Sequence, residues 1–202
     1  MRVWQIACGE SGRYYDDLFL EYDVMFCGPG RPGPYDPAVY RKWAEQGKIT
    51  KSHPGRIRNF NLGVQPGDIV LLRKGYRVIS MGLAEGHTYH WNESLDDVYG
   101  WDLQHCRSVS WQRGLDAELE ALQTKRDLFG TRKQIPTFTA VKERAILDPI
   151  EHLFSRCKDR PPKRPPEASK PPCVPMMCET GPTLGISVQG WETLTDVPRE
   201  RS

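Results

Sequence analysis

Large and small side chains alternate over residues 3–8, Val3-Trp4-Gln5-Ile6-Ala7-Cys8, and the alternation stops at Gly9-Glu10-Ser11-Gly12. A period of two that runs into such a stop predicts a first strand followed by a loop. Between residues 14 and 22 the period changes: Tyr15, Leu18, Phe19 and Tyr22 fall at i, i+3, i+4 and i+7, with Asp16 and Asp17 in the first turn. A short amphipathic helix is predicted there, its carboxylates placed where the helix dipole favours them. Residues 23–27 form a brief apolar run halted by Gly28-Pro29-Gly30-Arg31-Pro32-Gly33-Pro34. Prolines lack the amide donor and glycines lack restraint, so this segment predicts an extended surface loop.

A helix over residues 37–46 follows from Asp36 as N-cap, Pro37 at the first helical position and Gly47 at the end, with Trp43 on its apolar face. Residues 57–62 lead toward Pro66-Gly67, a turn before the nearly continuous apolar strand 69–73. Lys74-Gly75-Tyr76 is a hairpin-like connection to a strand over 77–85. A further strand over 103–111 puts His105, Arg107, Val109 and Trp111 on one face. Residues 115–122 are helical in composition, and a second helix over 141–147 is bounded by Pro136 and Asp148-Pro149. After about Ser155 the composition shifts to Arg160-Pro161-Pro162-Lys163-Arg164-Pro165-Pro166 and Lys170-Pro171-Pro172, which favours solvated polyproline-like chain. The expected organisation is a folded domain of residues 1–154 and a Pro-rich flexible tail of residues 155–202, in which 186–194 is too short for its own core.

Composition narrows the class. Six Trp, eight Tyr and six Phe in 202 residues can furnish a core, while a mean hydropathy of −0.60 argues for a water-soluble chain. No apolar run approaches the roughly 18 residues of a membrane span. The start enters a strand without the zones of a signal peptide, so a cytoplasmic protein is expected. Cysteines at 8, 27, 106, 157, 173 and 178 lack close paired spacings and read as reduced thiols, with no metal or cofactor implied. Net charge is slightly positive, +2 at pH 7, and uninformative by itself, but Arg31, Arg41, Lys42, Lys48, Lys51, Arg56, Arg58, Arg73, Lys74 and Arg77 face only Asp36, Glu45 and Asp68 in the same stretch. That excess marks a candidate phosphate-binding face, although an ordinary solvated surface has the same composition.

The order of motifs carries a resemblance. Arg58-Asn59-Phe60-Asn61-Leu62, then Val64-Gln65-Pro66-Gly67-Asp68-Ile69-Val70-Leu71, then Met81-Gly82-Leu83-Ala84-Glu85 resemble the corresponding strands of the EVE/YTH branch of the PUA-like superfamily. Tyr22-Asp23-Val24-Met25-Phe26-Cys27 is similar to the segment that ends in a cage aromatic, and Trp91 lies after the Ala-Glu strand as a cage tryptophan does. Gly100-Trp101-Asp102 leads into the next strand. The resemblance covers roughly residues 1–112 and implies an α+β fold: a PUA-like mixed β-barrel with peripheral helices and a Pro-rich, largely disordered C-terminal tail.

It also implies a function. Members read modified bases in DNA or RNA or serve as recognition domains of modification-dependent restriction systems, so the expected partner is nucleic acid and, beyond it, an effector such as a nuclease. Such a reader sandwiches an unstacked base between aromatic faces, a contact of about 1–3 kcal/mol per base, and fixes its edge with polar groups. The expected pocket comprises Trp4, Phe26, Trp91 and Trp101 as walls, with Gly9, Glu10, Ser11, Asp16 and Cys27 around the base edge. Arg56, Arg58, Asn59 and Lys51 are the expected phosphate and sugar contacts. Core packing is the competing reading for each aromatic, and a helix first turn for Asp16.

Two other classes compete. An enzyme on nucleic acid or nucleotides would draw on His53, His87, His90, His105 or His152, but G-x-S-x-G, P-loop and H-E-x-x-H patterns are absent and neither His87 with His90 nor His105 with Cys106 has further ligands at zinc spacing. A protein-interaction adaptor would use the Pro-rich tail.

Overall fold

The computed structural model describes residues 1–10, 13–96, 102–125, 137–157, 174–175 and 185–186. Six strands form one curled mixed sheet: β1 (Val3–Ala7), β4 (Val24–Cys27), β5 (Ile69–Lys74), β6 (Arg77–Trp91), β7 (His105–Gln112) and β8 (Phe138–Ala140). Their order across the sheet is β4-β7-β6-β5-β1-β8. Only β1 with β5 is a parallel pair, Val3 opposite Ile69, and the rest are antiparallel. A small ribbon of β2 (Gly9–Glu10) and β3 (Arg13–Tyr14) precedes helix α1 (Asp16–Glu21). Helices α2 (Pro37–Glu45) and α3 (His53–Arg58) follow β4, and α3 runs into a π-helical turn, Asn59–Gly63. The described tail residues form a two-residue pair, β9 (Val174–Pro175) with β10 (Gly185–Ile186).

The central strands read as unbroken apolar runs because both faces of the sheet are covered. Trp4, Ile6, Val70, Leu72, Val109 and Trp111 point to one core, where Phe19 of α1, Tyr40 of α2, Ile57 of α3 and Phe60 of the π turn cover them. Val3, Ile69, Leu71 and Met81 point the other way. There they meet Leu119 of α4 (Asp116–Lys125) and Ile146, Ile150, Leu153, Phe154 and Cys157 of α5 (Arg144–Cys157).

Three expectations change and one helix is added. The strand expected to stop at residue 85 continues to Trp91, with a register shift between Ala84 and Tyr89 that lets the chain rejoin β7. Trp91 is therefore at a strand end, opposite His105, and not in a loop. Helix α3 adds an element to those expected from the sequence, and its proline is tolerated because it stands in the first turn. The last helix was expected to end at Leu147 but includes Pro149 and continues to Cys157. A proline inside a helix costs about 3 kcal/mol, yet Ile146, Ile150, Leu153, Phe154 and Cys157 form a buried stripe whose burial, at about 1.5–3 kcal/mol per large apolar side chain, outweighs it. The buried face of α5 thus extends to Cys157.

Ile150 is fully buried in that stripe. Ile150→Ala should lower the unfolding free energy by about 2–5 kcal/mol in urea denaturation; a helix ending at Leu147 would leave stability nearly unchanged.

Candidate functional site

A buried imidazole stands where the sheet, α2 and the Gly-Pro loop meet. His105 opens β7, and its side chain is held from both ends: Nδ1 lies 2.8 Å from the Tyr89 hydroxyl and Nε2 2.6 Å from the Tyr40 hydroxyl. Nε2 is also 3.1 Å from the carbonyl oxygen of Pro29. A carbonyl can only accept, so the Nε2 nitrogen carries the proton and Nδ1 accepts from the Tyr89 O–H. The Tyr89 oxygen accepts in turn from the Tyr35 amide at 3.1 Å, and the Tyr40 O–H donates to the carbonyls of Pro29 (2.9 Å) and Gly33 (3.1 Å). Trp91 packs edge-on to the imidazole at 5.1 Å between centroids. Burial pushes the His105 pKa down to about 4, against the upward pull of the Pro29 carbonyl, so the ring is neutral at physiological pH.

The Gly-Pro loop is seated by the same contacts. Its Gly28–Pro29 peptide is cis, the Arg56 guanidinium donates to the Gly28 carbonyl at 3.2 Å, and two glycines meet the segment leading into β7. A β-carbon on Gly28 would lie 2.3 Å from the Asp102 carbonyl oxygen, and one on Gly30 1.8 Å from the buried Gln104 amide. At Gly28 the obstacle is backbone, so only glycine permits that approach.

Beside the loop is a cleft of about 360 Å³ lined by Pro29, Arg31, Gly47, Lys48, Ile49, Thr50, His53 and Asp102. Its far wall follows from how α2 ends. Gly47 has φ +69°, and the Lys48 and Gly47 amides return to the carbonyls of Trp43 and Ala44, the double bond of a Schellman cap. The chain turns back, and the Lys48 ammonium sits 5.1 Å over the Trp43 ring. Across the cleft Arg31 is 3.7 Å from an Asp102 carboxylate oxygen.

The sequence-predicted residues are scattered. Trp4 is 3% exposed, stacked on Phe138 at 5.2 Å, with its indole N–H donating to Asp68 at 2.8 Å. Phe26 is 5% exposed and edge-on to Phe19. Both are core aromatics with almost no surface to offer a base, which corrects their placement as pocket walls. Cys27 is buried beside Phe26, its thiol pushed up to about 12 by burial. Asp16, in the first turn of α1, pairs with Lys74 at 3.1 Å. Gly9 and Glu10 belong to β2, whereas Ser11 and Trp101 lie outside the described residues. Of the four aromatics, Trp91 alone among the described residues keeps partial exposure. Lys51, Arg58 and Asn59 are exposed on the α2–α3 side, while Arg56 faces the Gly-Pro loop. The Tyr35–Tyr40–Tyr89–His105 network was missed; its signal is two polar residues, His105 and Arg107, on a strand face otherwise carrying Val109 and Trp111.

No family model matches the chain, and no curated protein matches it. Among solved structures, the crystal structure of protein Atu2648 from Agrobacterium tumefaciens is similar at 15% identity over 82% of this chain and 100% of its own, with a TM-score of 0.34. A likeness at that level carries no argument.

Two outcomes test this geometry. Gly28→Ala meets backbone, not a movable side chain, and should cost on the order of 1–3 kcal/mol and lower Tm; an unchanged Tm would mean the loop is not docked. Because the folded His105 pKa lies below the unfolded value near 6.5, its contribution to stability is complete above pH 6.5, is lost as pH falls toward 4 and is constant below. His53, lowered to about 4 by burial and by Arg56, acts in the same window. His105 contributes a slope of up to about 1.4 kcal/mol per pH unit, the half-exposed His53 less because solvent screens it, and His105→Gln should flatten the measured dependence between pH 6.5 and 4.

Proposed function

We propose that the chain is a nucleic-acid-binding module of PUA-like, EVE/YTH type, in which α2 and α3 contact phosphates and a base that has left its stack is held at the rim near Trp91. The observation that carries this reading is a set of exposed cations on neighbouring elements. Arg41 and Lys42 on α2, Lys51 between the helices and Arg58 at the end of α3 are all exposed, and among the described residues none of them makes a salt bridge. Of the acidic residues on α2 and at its start, Glu45 is exposed and makes no salt bridge to these cations among the described residues, and Asp36 is occupied in capping the helix through the amides of Ala38 and Val39. Unneutralised cations repel one another, and a polyanion relieves that repulsion while releasing its own counterions.

Arg41 and Arg58 also act on the Tyr35 hydroxyl, which links this surface to the loop that leads into the His105 network. A strand lying along α2 and α3 would therefore pass the mouth of the Gly-Pro loop. An effector that acts after binding, such as a nuclease, would be a separate partner.

Salt dependence is the direct test. Replacing Arg41 and Arg58 together with Ala should weaken binding to all sequences alike and reduce the slope of log K against log salt by about 1.4–1.8, since each neutralised phosphate contributes about 0.7–0.9. An unchanged slope would move the contact surface elsewhere. For base capture, Trp91→Ala should remove about 1–3 kcal/mol of affinity for an oligonucleotide with a modified or unpaired base while Tm stays close to wild type. A loss of 3–5 kcal/mol of stability would instead make Trp91 a core residue.

A further inference from the structure

The cleft between the Gly-Pro loop and the end of α2 has features that the strand-binding surface alone does not require. Two of its polar groups are cations brought to its walls by separate devices: Lys48 by the Schellman cap and the Trp43 ring, Arg31 by the docked loop and Asp102. Thr50 adds a hydroxyl at its rim. His53 lines the cleft, and its Nδ1 is buried with no hydrogen-bond partner among the described residues. One turn on, Arg56 acts on His53 and has a buried Nε–H that is likewise without a partner. Buried polar atoms left unpaired are costly, so both atoms mark places that a water, an ion or a ligand group can satisfy.

We infer that this cleft seats a nucleotide by its terminal phosphate monoester, either as a free nucleotide or as the phosphorylated end of a strand; the second form rests on the nucleic-acid reading above. The donors determine the ligand class. A phosphodiester within a chain has two free oxygens, whereas a monoester has three and carries a charge near −2. Lys48, the Arg31 N–H groups, Thr50 and His53 together supply more donors than a diester can use. Asp102 supplies the complementary requirement, an acceptor beside the cations. A bare anion would be repelled by that carboxylate, but a nucleotide brings sugar hydroxyl and base N–H donors with its phosphate. Pro29 and the largely buried Ile49 give apolar surface against which the sugar or base lies. The volume falls at the lower end of small-ligand sites, consistent with one nucleotide unit and not several.

The experiment measures binding of short single-stranded oligonucleotides carrying a 5′-phosphate, a 3′-phosphate or neither, to the full chain and to Lys48→Ala. In parallel, the imidazole resonances of the wild-type protein are followed by NMR as a nucleoside monophosphate or inorganic phosphate is added. One phosphorylated end should bind about tenfold more tightly than the unphosphorylated strand, and Lys48→Ala should abolish the preference. The nucleoside monophosphate should move the His53 resonance and raise its titration midpoint from about 4, because a neighbouring dianion favours the protonated ring. Inorganic phosphate should do so more weakly. Equal affinity for the three strands together with an unmoved His53 would overturn the inference while leaving the α2–α3 reading intact if binding stays steeply salt-dependent. A nucleoside monophosphate that shifts His53 in a protein that binds no oligonucleotide would support the cleft as a free-nucleotide site and reject the strand reading.

Discussion

The neutral, fully enclosed imidazole of His105 is the interaction on which the surface geometry depends. A buried ring nitrogen without a partner costs about 1–3 kcal/mol. Here both nitrogens are satisfied only if four segments converge: β7 itself, Tyr89 on β6, Tyr40 on α2 and the Pro29 carbonyl of the Gly-Pro loop. Tyr40 ties that loop a second time through Gly33, and Arg56 of α3 a third time through Gly28. The loop contains Pro32 and Pro34, so it has few amides for regular pairing. Side-chain donors from the sheet and helices take over the role that backbone bonds play elsewhere, and one wall of the cleft follows from them.

A second constraint explains why the cations gather on one side. Each sheet face must be covered, and α2 and α3 cover the face carrying Trp4, Val70 and Trp111 by turning Tyr40 and Ile57 inward. With 3.6 residues per turn, the positions next to an inward residue are directed sideways or outward. Arg41, Lys42 and Arg58 follow Tyr40 and Ile57 by one or two residues, so burying the apolar side chains sets the charged ones on the surface. Arg107 reinforces the arrangement from inside, its buried guanidinium donating to the carbonyls of Phe60 and Asn61 in the π turn at 3.2 and 2.6 Å. The turn is thereby held against the sheet by a cation and not by apolar contact alone.

Much of this was legible in the sequence wherever local chemistry decides structure. Asp36, Pro37 and Gly47 mark α2, Pro66-Gly67 marks the turn into β5, and the alternation through His105, Arg107, Val109 and Trp111 appears as the buried face of β7. What failed depends on partners distant in the chain. Proline read as a stop at residue 149 because its cost is local, whereas the burial that outweighs it comes from strands some 70 to 150 residues away. Trp4 and Phe26 show the same limit from the site side. An aromatic at the right place in a motif order says nothing about which of its faces is free, and here Phe138, 134 residues away, stacks on Trp4.

The filled interior also limits how a ligand can be held. Trp4, Phe26, Phe60, Phe138 and Trp111 occupy the covered side of the sheet at 5% exposure or less, with Asp68 bonding the Trp4 indole and the Val24 carbonyl accepting from Trp111. Opening a base-sized space among them would break these bonds and forfeit roughly 1.5–3 kcal/mol for each large side chain re-exposed, more than the 1–3 kcal/mol that stacking one base returns. Recognition therefore belongs at the rim, where Trp91 and the cleft-lining Pro29, Lys48 and His53 are not fully enclosed. Groups there can change partners without disturbing the core. The His105 network separates the two regions: it pairs both of its ring nitrogens inside the fold while holding the loop whose outer face lines the cleft.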